Sequence, residues 1–141
     1  MNRKLVIPVV LFLLIGVSNR TDAQYLIGKH AKDIISIMKT DPEYRYLKLN
    51  TTDKNKSFKY LKYEDRINQI TVLFFLDDDN NCKMIRMMYD YSNINDVLEK
   101  MNKELEKVDD KRYEYKIDGK TLTLDLQEDE WFFTVTVREK K

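Results

Sequence analysis

Residues 69–91 read QITVLFFLDDDNNCKMIRMMYDY, two apolar runs on either side of the polar break Asp77–Asn81. Apolar runs of this length separated by Asp and Asn read as two strands joined by a hairpin with a five-residue loop. Ile70, Val72, Phe74 and Leu76 share one face of the first strand, because side chains alternate with period two. Leu73 and Phe75 make its other face apolar as well. The expectation is therefore a central strand covered on both sides, followed by a second strand over 82–91.

Downstream, Ile94, Val97, Leu98, Met101, Leu105 and Val108 recur at the spacing of one helical face, and Asn93 with Asp96 three residues on resembles a cap. Beyond this helix the tail is a meander with legible turns. Asp118-Gly119 lies between Tyr113–Ile117 and Lys120–Leu124 and is a two-residue hairpin signal, because a type I′ turn needs positive φ at both centres. That turn pairs Tyr115 with Leu122 and Tyr113 with Leu124. Tyr113, Tyr115, Leu122, Leu124 and Leu126 then share one face, with Glu114, Lys116, Thr123 and Asp125 facing water. After Glu128-Asp129-Glu130 a last strand over 131–138 points Trp131, Phe133, Val135 and Val137 to one side.

Upstream, Ile27, Ala31, Ile34, Ile35 and Met38 predict a helix over 29–39 that stops before Pro42. The tyrosine-rich residues 44–49 read as a strand. Residues 57–63 alternate Lys with aromatics and read as an edge strand, since Lys on an edge discourages unwanted pairing. Asp33-Ile34-Ile35 with Met38 is echoed by Asp96-Val97-Leu98 with Met101 at an offset of 63, which suggests two related halves. Together these elements predict an α+β protein, an antiparallel sheet of six or seven strands with two helices on one face, in the order α-β3/4-α-β3.

The N-terminal residues carry a different signal. Arg3 and Lys4 precede the apolar run LVIPVVLFLLIGV (5–17) and then small and polar residues, the layout of a secretory signal peptide that ends at Ala23, with Ser18 as the alternative cleavage point. The run is shorter than the roughly 20 apolar residues a spanning helix needs, so no permanent membrane anchor is expected. Residues 24–141 then form a single soluble domain, periplasmic or extracellular. The whole chain has 141 residues, 25 Lys+Arg and 24 Asp+Glu. Removing 1–23 takes away Arg3, Lys4, Arg20 and Asp22 and leaves 22 basic against 23 acidic side chains. Near-neutrality argues against attraction to nucleic acid or to an anionic membrane.

Ile27-Gly28-Lys29 leading into Asp33-Ile34-Ile35, together with the element order, resembles the opening of small exported helix-plus-sheet modules, the beta-lactamase-inhibitor-like repeats and the SmpA/OmlA-type envelope proteins. The resemblance implies a non-enzymatic binder of protein partners. The chain departs from the SmpA/OmlA type in lacking a lipid-modified Cys and a clear second helix beside the first. It also looks like uncharacterised secreted proteins that share a hairpin-helix-meander tail.

One His and one Cys leave too few Cys and His ligands for a structural zinc site and exclude a CxxC pair and an internal disulfide. Asp77, Asp79 and Asn81 alternate like the start of a calcium loop, but Cys82 and Met88 stand where that loop needs Gly and a bidentate Glu, so a solvated hairpin loop is the better reading. Cys82 reads as a small buried apolar residue rather than a reactive thiol, and His30 as a lone His without a partner site. Met84, Met87, Met88 and Met101 read as core filling. No carboxylate sits in an apolar run that would raise its pKa, and no Gly-rich phosphate or dinucleotide motif occurs; neither enzyme nor cofactor chemistry is expected. Lys54, Lys56, Lys59 and Lys62 interleave with Phe58, Tyr60 and Tyr63. A recognition surface at Lys59, Tyr60, Lys62 and Tyr63 is the site expected here, in an exported non-catalytic protein that recognises a protein partner. The alternative is a carrier of a small apolar or sugar-like ligand.

Overall fold

The computed structural model describes residues 26–50, 59–117 and 119–141. The expected signal peptide, residues 51–58 and Asp118 lie outside the described residues. The elements run α1 (Ala31–Thr40), β1 (Lys48–Leu49), β2 (Tyr60–Asp65), β3 (Ile70–Leu76), β4 (Cys82–Asp90), α2 (Ile94–Glu104), β5 (Glu106–Asp109), β6 (Arg112–Ile117), β7 (Lys120–Glu128) and β8 (Phe132–Glu139). All eight strands form one antiparallel sheet in the order β1-β2-β3-β4-β8-β7-β6-β5.

Each helix is followed by four strands, and the two sets meet at β4 and β8, paired antiparallel around Met87 and Val135. The echo at an offset of 63 falls on equivalent places, because Ile34 and Met38 of α1 and Val97 and Met101 of α2 are all buried. They join one core with Val72, Phe74, Ile85, Met87, Leu124, Val135 and Val137. Facing residues in an antiparallel ladder share a face, so both helices cover the same side of the sheet.

Among the described residues the strand count is eight, not six or seven, and the order is α-β4-α-β4. The additional strand is β5, which occupies residues expected to continue the second helix. The last helical bond runs from the Leu105 N–H to the Met101 carbonyl, and Leu105 then turns extended at φ −120° and ψ 158°. Leu105 still reaches the core, while Val108 is 51% exposed; a helical spacing there does not mean a helical contact. Pairing with β6 gives the backbone of this charged segment its hydrogen bonds.

Residues 44–49 are also not a six-residue strand. Pro42–Tyr44 is a 3-10 turn, and the strand is only Lys48–Leu49. Pro42 presets φ for a turn. Tyr44 and Leu47 are buried on a three-residue spacing, the Leu47 N–H donating to the Tyr44 carbonyl at 2.9 Å. At α2 the expected Asn93 cap makes no side-chain cap bond; a 3-10 turn at Tyr91–Asn93 precedes the helix, and Asp90 accepts from the Ser92 N–H at 2.9 Å.

The two hairpins follow their turn chemistry. Leu76 pairs with Cys82 across Asp77–Asn81, and Ile117 pairs with Lys120. Gly119 has φ +76°, the left-handed conformation that this turn demands. Tyr115 pairs with Leu122 and Tyr113 with Leu124 as expected, although Thr123, expected to face water, is buried. Phe133, Val135 and Val137 enter the core, whereas Trp131 precedes β8 and is exposed.

Candidate functional site

The sheet's second face carries the strand side chains of opposite parity to the core. Strand β3 is not covered on both sides: Ile70, Val72, Phe74 and Leu76 are buried, but Leu73 and Phe75 are only half-buried. Following the register outward from β2, Tyr60 faces Phe75, Phe75 faces Met84 and Met84 faces Arg138. In the next row Lys62 faces Leu73, Leu73 faces Arg86 and Arg86 faces Thr136. A third row runs from Thr71 to Met88 and Thr134.

These rows make a half-buried strip of Tyr60, Leu73, Phe75, Met84 and Met88 with Arg86 in its midst. The Arg86 guanidinium lies 5.4 Å from the centre of the Phe75 ring, and Tyr60 packs on the same ring with centroids 6.0 Å apart. Stacking holds the guanidinium over apolar surface with its donors available, a cation–π arrangement. Across β8 the face becomes polar. Arg112 clasps Asp125 with Nε to Oδ1 at 2.6 Å and a second nitrogen to Oδ2 at 3.2 Å, Arg138 approaches the same carboxylate at 3.6 Å, and Lys140 bonds Glu114 at 2.9 Å.

Strand alternation divides the four expected site residues. Tyr60 and Lys62 lie on the open face. Tyr63 points to the helix side, is 4% exposed and packs edge-on against Phe74 with centroids 5.8 Å apart. Burial pushes its hydroxyl up to about 12, so it is a core residue rather than a contact. Lys59 precedes β2 and reaches the hairpin loop, its Nζ lying 3.3 Å from Asn80 Oδ1 and 3.4 Å from the Asp78 carbonyl. Strand β2 is not an outer strand either, since β1 pairs with it at Glu64 and Tyr63. Lys54, Lys56 and Phe58 lie outside the described residues. The methionines split: Met87 and Met101 are in the core, while Met84 and Met88 belong to the open face. Arg86, Met84 and Met88 were legible as members of this face only from their parity, opposite to Ile85, Met87 and Tyr89.

The remaining candidates have structural roles. Asp77 Oδ1 accepts the Asp79 and Asn81 N–H groups, each at 2.9 Å, and the Asn80 carbonyl accepts the Ala31 N–H at 2.8 Å. The Asp77–Asn81 loop thereby fixes the entry to α1. His30 is the N-cap of α1, Nδ1 accepting the Lys32 N–H at 3.1 Å. Cys82 is buried, and burial raises its thiol from 9.0 to about 12, which withholds the thiolate needed for nucleophilic or redox chemistry. Asp65 is buried in a turn of its own, accepting from the Ile67 and Asn68 N–H groups at 3.0 Å and from Asn68 Nδ2 at 2.7 Å. Among the described residues no three or more His, Cys, Asp and Glu side chains group as metal ligands, and no helix is long and apolar enough to cross a membrane.

Two surface pockets flank β1. One, of about 500 Å³, lies among Tyr46, Asn50, Glu64 and Ile67; the other, of about 350 Å³, lies between the end of α1 and the sheet, against Met38, Pro42, Tyr44, Leu49 and Tyr63. No protein-family model, no curated protein and no solved structure matches the chain.

Proposed function

We propose that this is an exported, soluble, non-catalytic protein that recognises a protein partner through the open face of its sheet. The observation that carries the reading is the strip of Tyr60, Leu73, Phe75, Met84 and Met88 around the stacked Arg86. Aromatic residues, Met and Arg are the types enriched in protein interfaces, and they lie on rigid strands, so little ordering entropy is lost on binding. The polar Arg112–Asp125–Arg138 group beside the strip supplies a hydrated rim of the kind that surrounds such contacts.

The test is affinity capture by tagged residues 24–141 from an envelope extract of the source cells, with Tyr60→Ala/Phe75→Ala as the comparison. A stoichiometric protein retained by the parent chain and lost by the variant is expected. Equal retention by both would remove this face from the interaction.

The pocket of about 350 Å³ favours a second reading, a carrier of a small apolar or sugar-like ligand, because that volume falls within the usual range of ligand sites. A carrier gains thermal stability with lipid or glycan extract by mass action. A capture experiment that retains only the bait, with such a gain, would favour it.

A further inference from the structure

The turn from β7 into β8 and the 3-10 turn that leaves β4 lie side by side. The Tyr91 N–H donates to the Trp131 carbonyl at 3.0 Å, and the Tyr91 hydroxyl donates to Glu128 Oε1 at 3.0 Å. The Asp129 N–H donates to the Phe132 carbonyl at 2.8 Å and closes the turn, while Phe132 stands opposite Asp90. Trp131 is 76% exposed, Tyr91 39% and Phe132 36%. Trp131 thus stands mostly in water, and Tyr91 and Phe132 partly so, on a hydrogen-bonded frame, and their exposed area brings the isolated protein no burial energy.

The two segments that carry them bear charge of one sign, while Lys111 adjoins Leu126 on the neighbouring strand end. From Thr121 to Val137 the chain carries Asp125, Glu128, Asp129 and Glu130 and neither Lys nor Arg; from Met87 to Glu99 it carries Asp90, Asp96 and Glu99 and again neither. Asp125 is already held by Arg112 and Arg138. Glu128, Asp129 and Glu130 are exposed.

From the exposed rings and the carboxylates beside them, we infer that this end of the molecule is a docking surface for a Lys- or Arg-rich segment of a partner protein. Indole and phenol faces attract ammonium and guanidinium groups. The neighbouring carboxylates pair with the same groups and draw a basic segment in from a distance. An acidic or purely apolar partner would meet uncompensated repulsion or stranded charge here. The Tyr60 row meets β8 at Arg138, six residues and about 20 Å along the strand from Phe132, while Phe132 itself follows Thr134 on the open face, one row beyond Met88. The Trp131 end and the Tyr60 end of the sheet can therefore be tested apart.

Trp131 is the sole tryptophan, so its fluorescence reports on this site directly. The purified protein is titrated with a short amidated Lys/Arg peptide, with a Glu peptide of equal length and with tetramethylammonium. A saturable change with the basic peptide alone is expected, weakening about tenfold or more between about 0.05 and 0.5 M salt. Glu128→Gln/Asp129→Gln/Glu130→Gln and Tyr91→Ala should each weaken it several-fold, with circular dichroism unchanged, while Tyr60→Ala leaves it as it was. No response, an equal response to the Glu peptide or to tetramethylammonium, or full binding by the triple variant would overturn the inference. A signal that follows protein concentration without peptide would assign the surface to a second copy of the chain and overturn it equally.

Discussion

Tyr89 and Phe133 stand directly opposite one another across the β4–β8 seam, their rings stacked with centroids 5.0 Å apart and planes 19° from parallel. Both are fully buried, and the pair spans the one ladder by which the two four-strand sets are joined. Phe133→Ala should therefore lower unfolding stability by about 3 to 5 kcal/mol, as large-to-small core changes do. Phe133→Leu, which keeps most of the volume, should cost clearly less. Urea unfolding of both variants checks this, and equal losses would mean that volume at the seam does not matter.

Tyr60 and Tyr63 are three residues apart and face opposite ways. Tyr63→Ala should cost about 3 to 5 kcal/mol through the cavity it leaves against Phe74, and Tyr60→Ala about 1 kcal/mol, as for a change on the half-buried outer face. Thermal denaturation separates the two. A Tyr60→Ala variant that unfolds as readily as Tyr63→Ala would contradict the assignment of faces.

The buried Cys82 thiol and Tyr63 hydroxyl have folded pKa values of about 12, raised by burial from 9.0 and 10.0, and the Tyr89 hydroxyl is raised further still. Because folding raises these values, the native state keeps protons that the unfolded chain releases. Stability is then full below about pH 9 and falls as pH climbs, by about 1.4 kcal/mol per pH unit for each proton withheld. Between about pH 9 and 10 the thiol acts alone, so Cys82→Ala should move the onset of the decline up by about one pH unit. Urea midpoints measured across this range check it; an unmoved onset would show that the thiol is not held protonated.

His30 accepts the Lys32 N–H as the cap of α1. His30→Ala should cost about 0.5 to 2 kcal/mol, the ordinary value of a lost cap, and His30→Asn should restore much of it. Partner capture should be the same for all three. Capture that fails in His30→Asn despite normal melting would give this residue a role at a surface.

Much of the sheet was legible because several local signals agreed. The turn at Gly119 fixed the β6–β7 register, the Asp77–Asn81 break fixed the β3–β4 hairpin, and parity then placed Tyr113, Leu124, Val72 and Phe74 in the core. What failed was segments whose pattern fits two periods. Leu105 and Val108 continue a helical spacing, yet the edge of β6 draws Glu106–Asp109 into the sheet. Tyr44 and Leu47 are both buried, but on a turn rather than a strand. The site was half legible. Tyr60 and Lys62 were found from the alternation of Lys with aromatics, but the same alternation, read strictly, sends Tyr63 to the core. Leu73, Phe75, Met84 and Met88 look like core residues in the sequence, and only the placement of both helices on one side leaves them facing out.

Photo-crosslinking in the source cells shows whether the open face meets a protein. p-Benzoylphenylalanine is placed at Phe75 or Met84 on that face, and at Ser36 on α1 or Lys103 on α2, exposed helix positions. A discrete crosslinked protein is expected from the two face positions and none from the two helix positions. Crosslinks from the helix positions alone, or the same products from all four, would contradict this expectation.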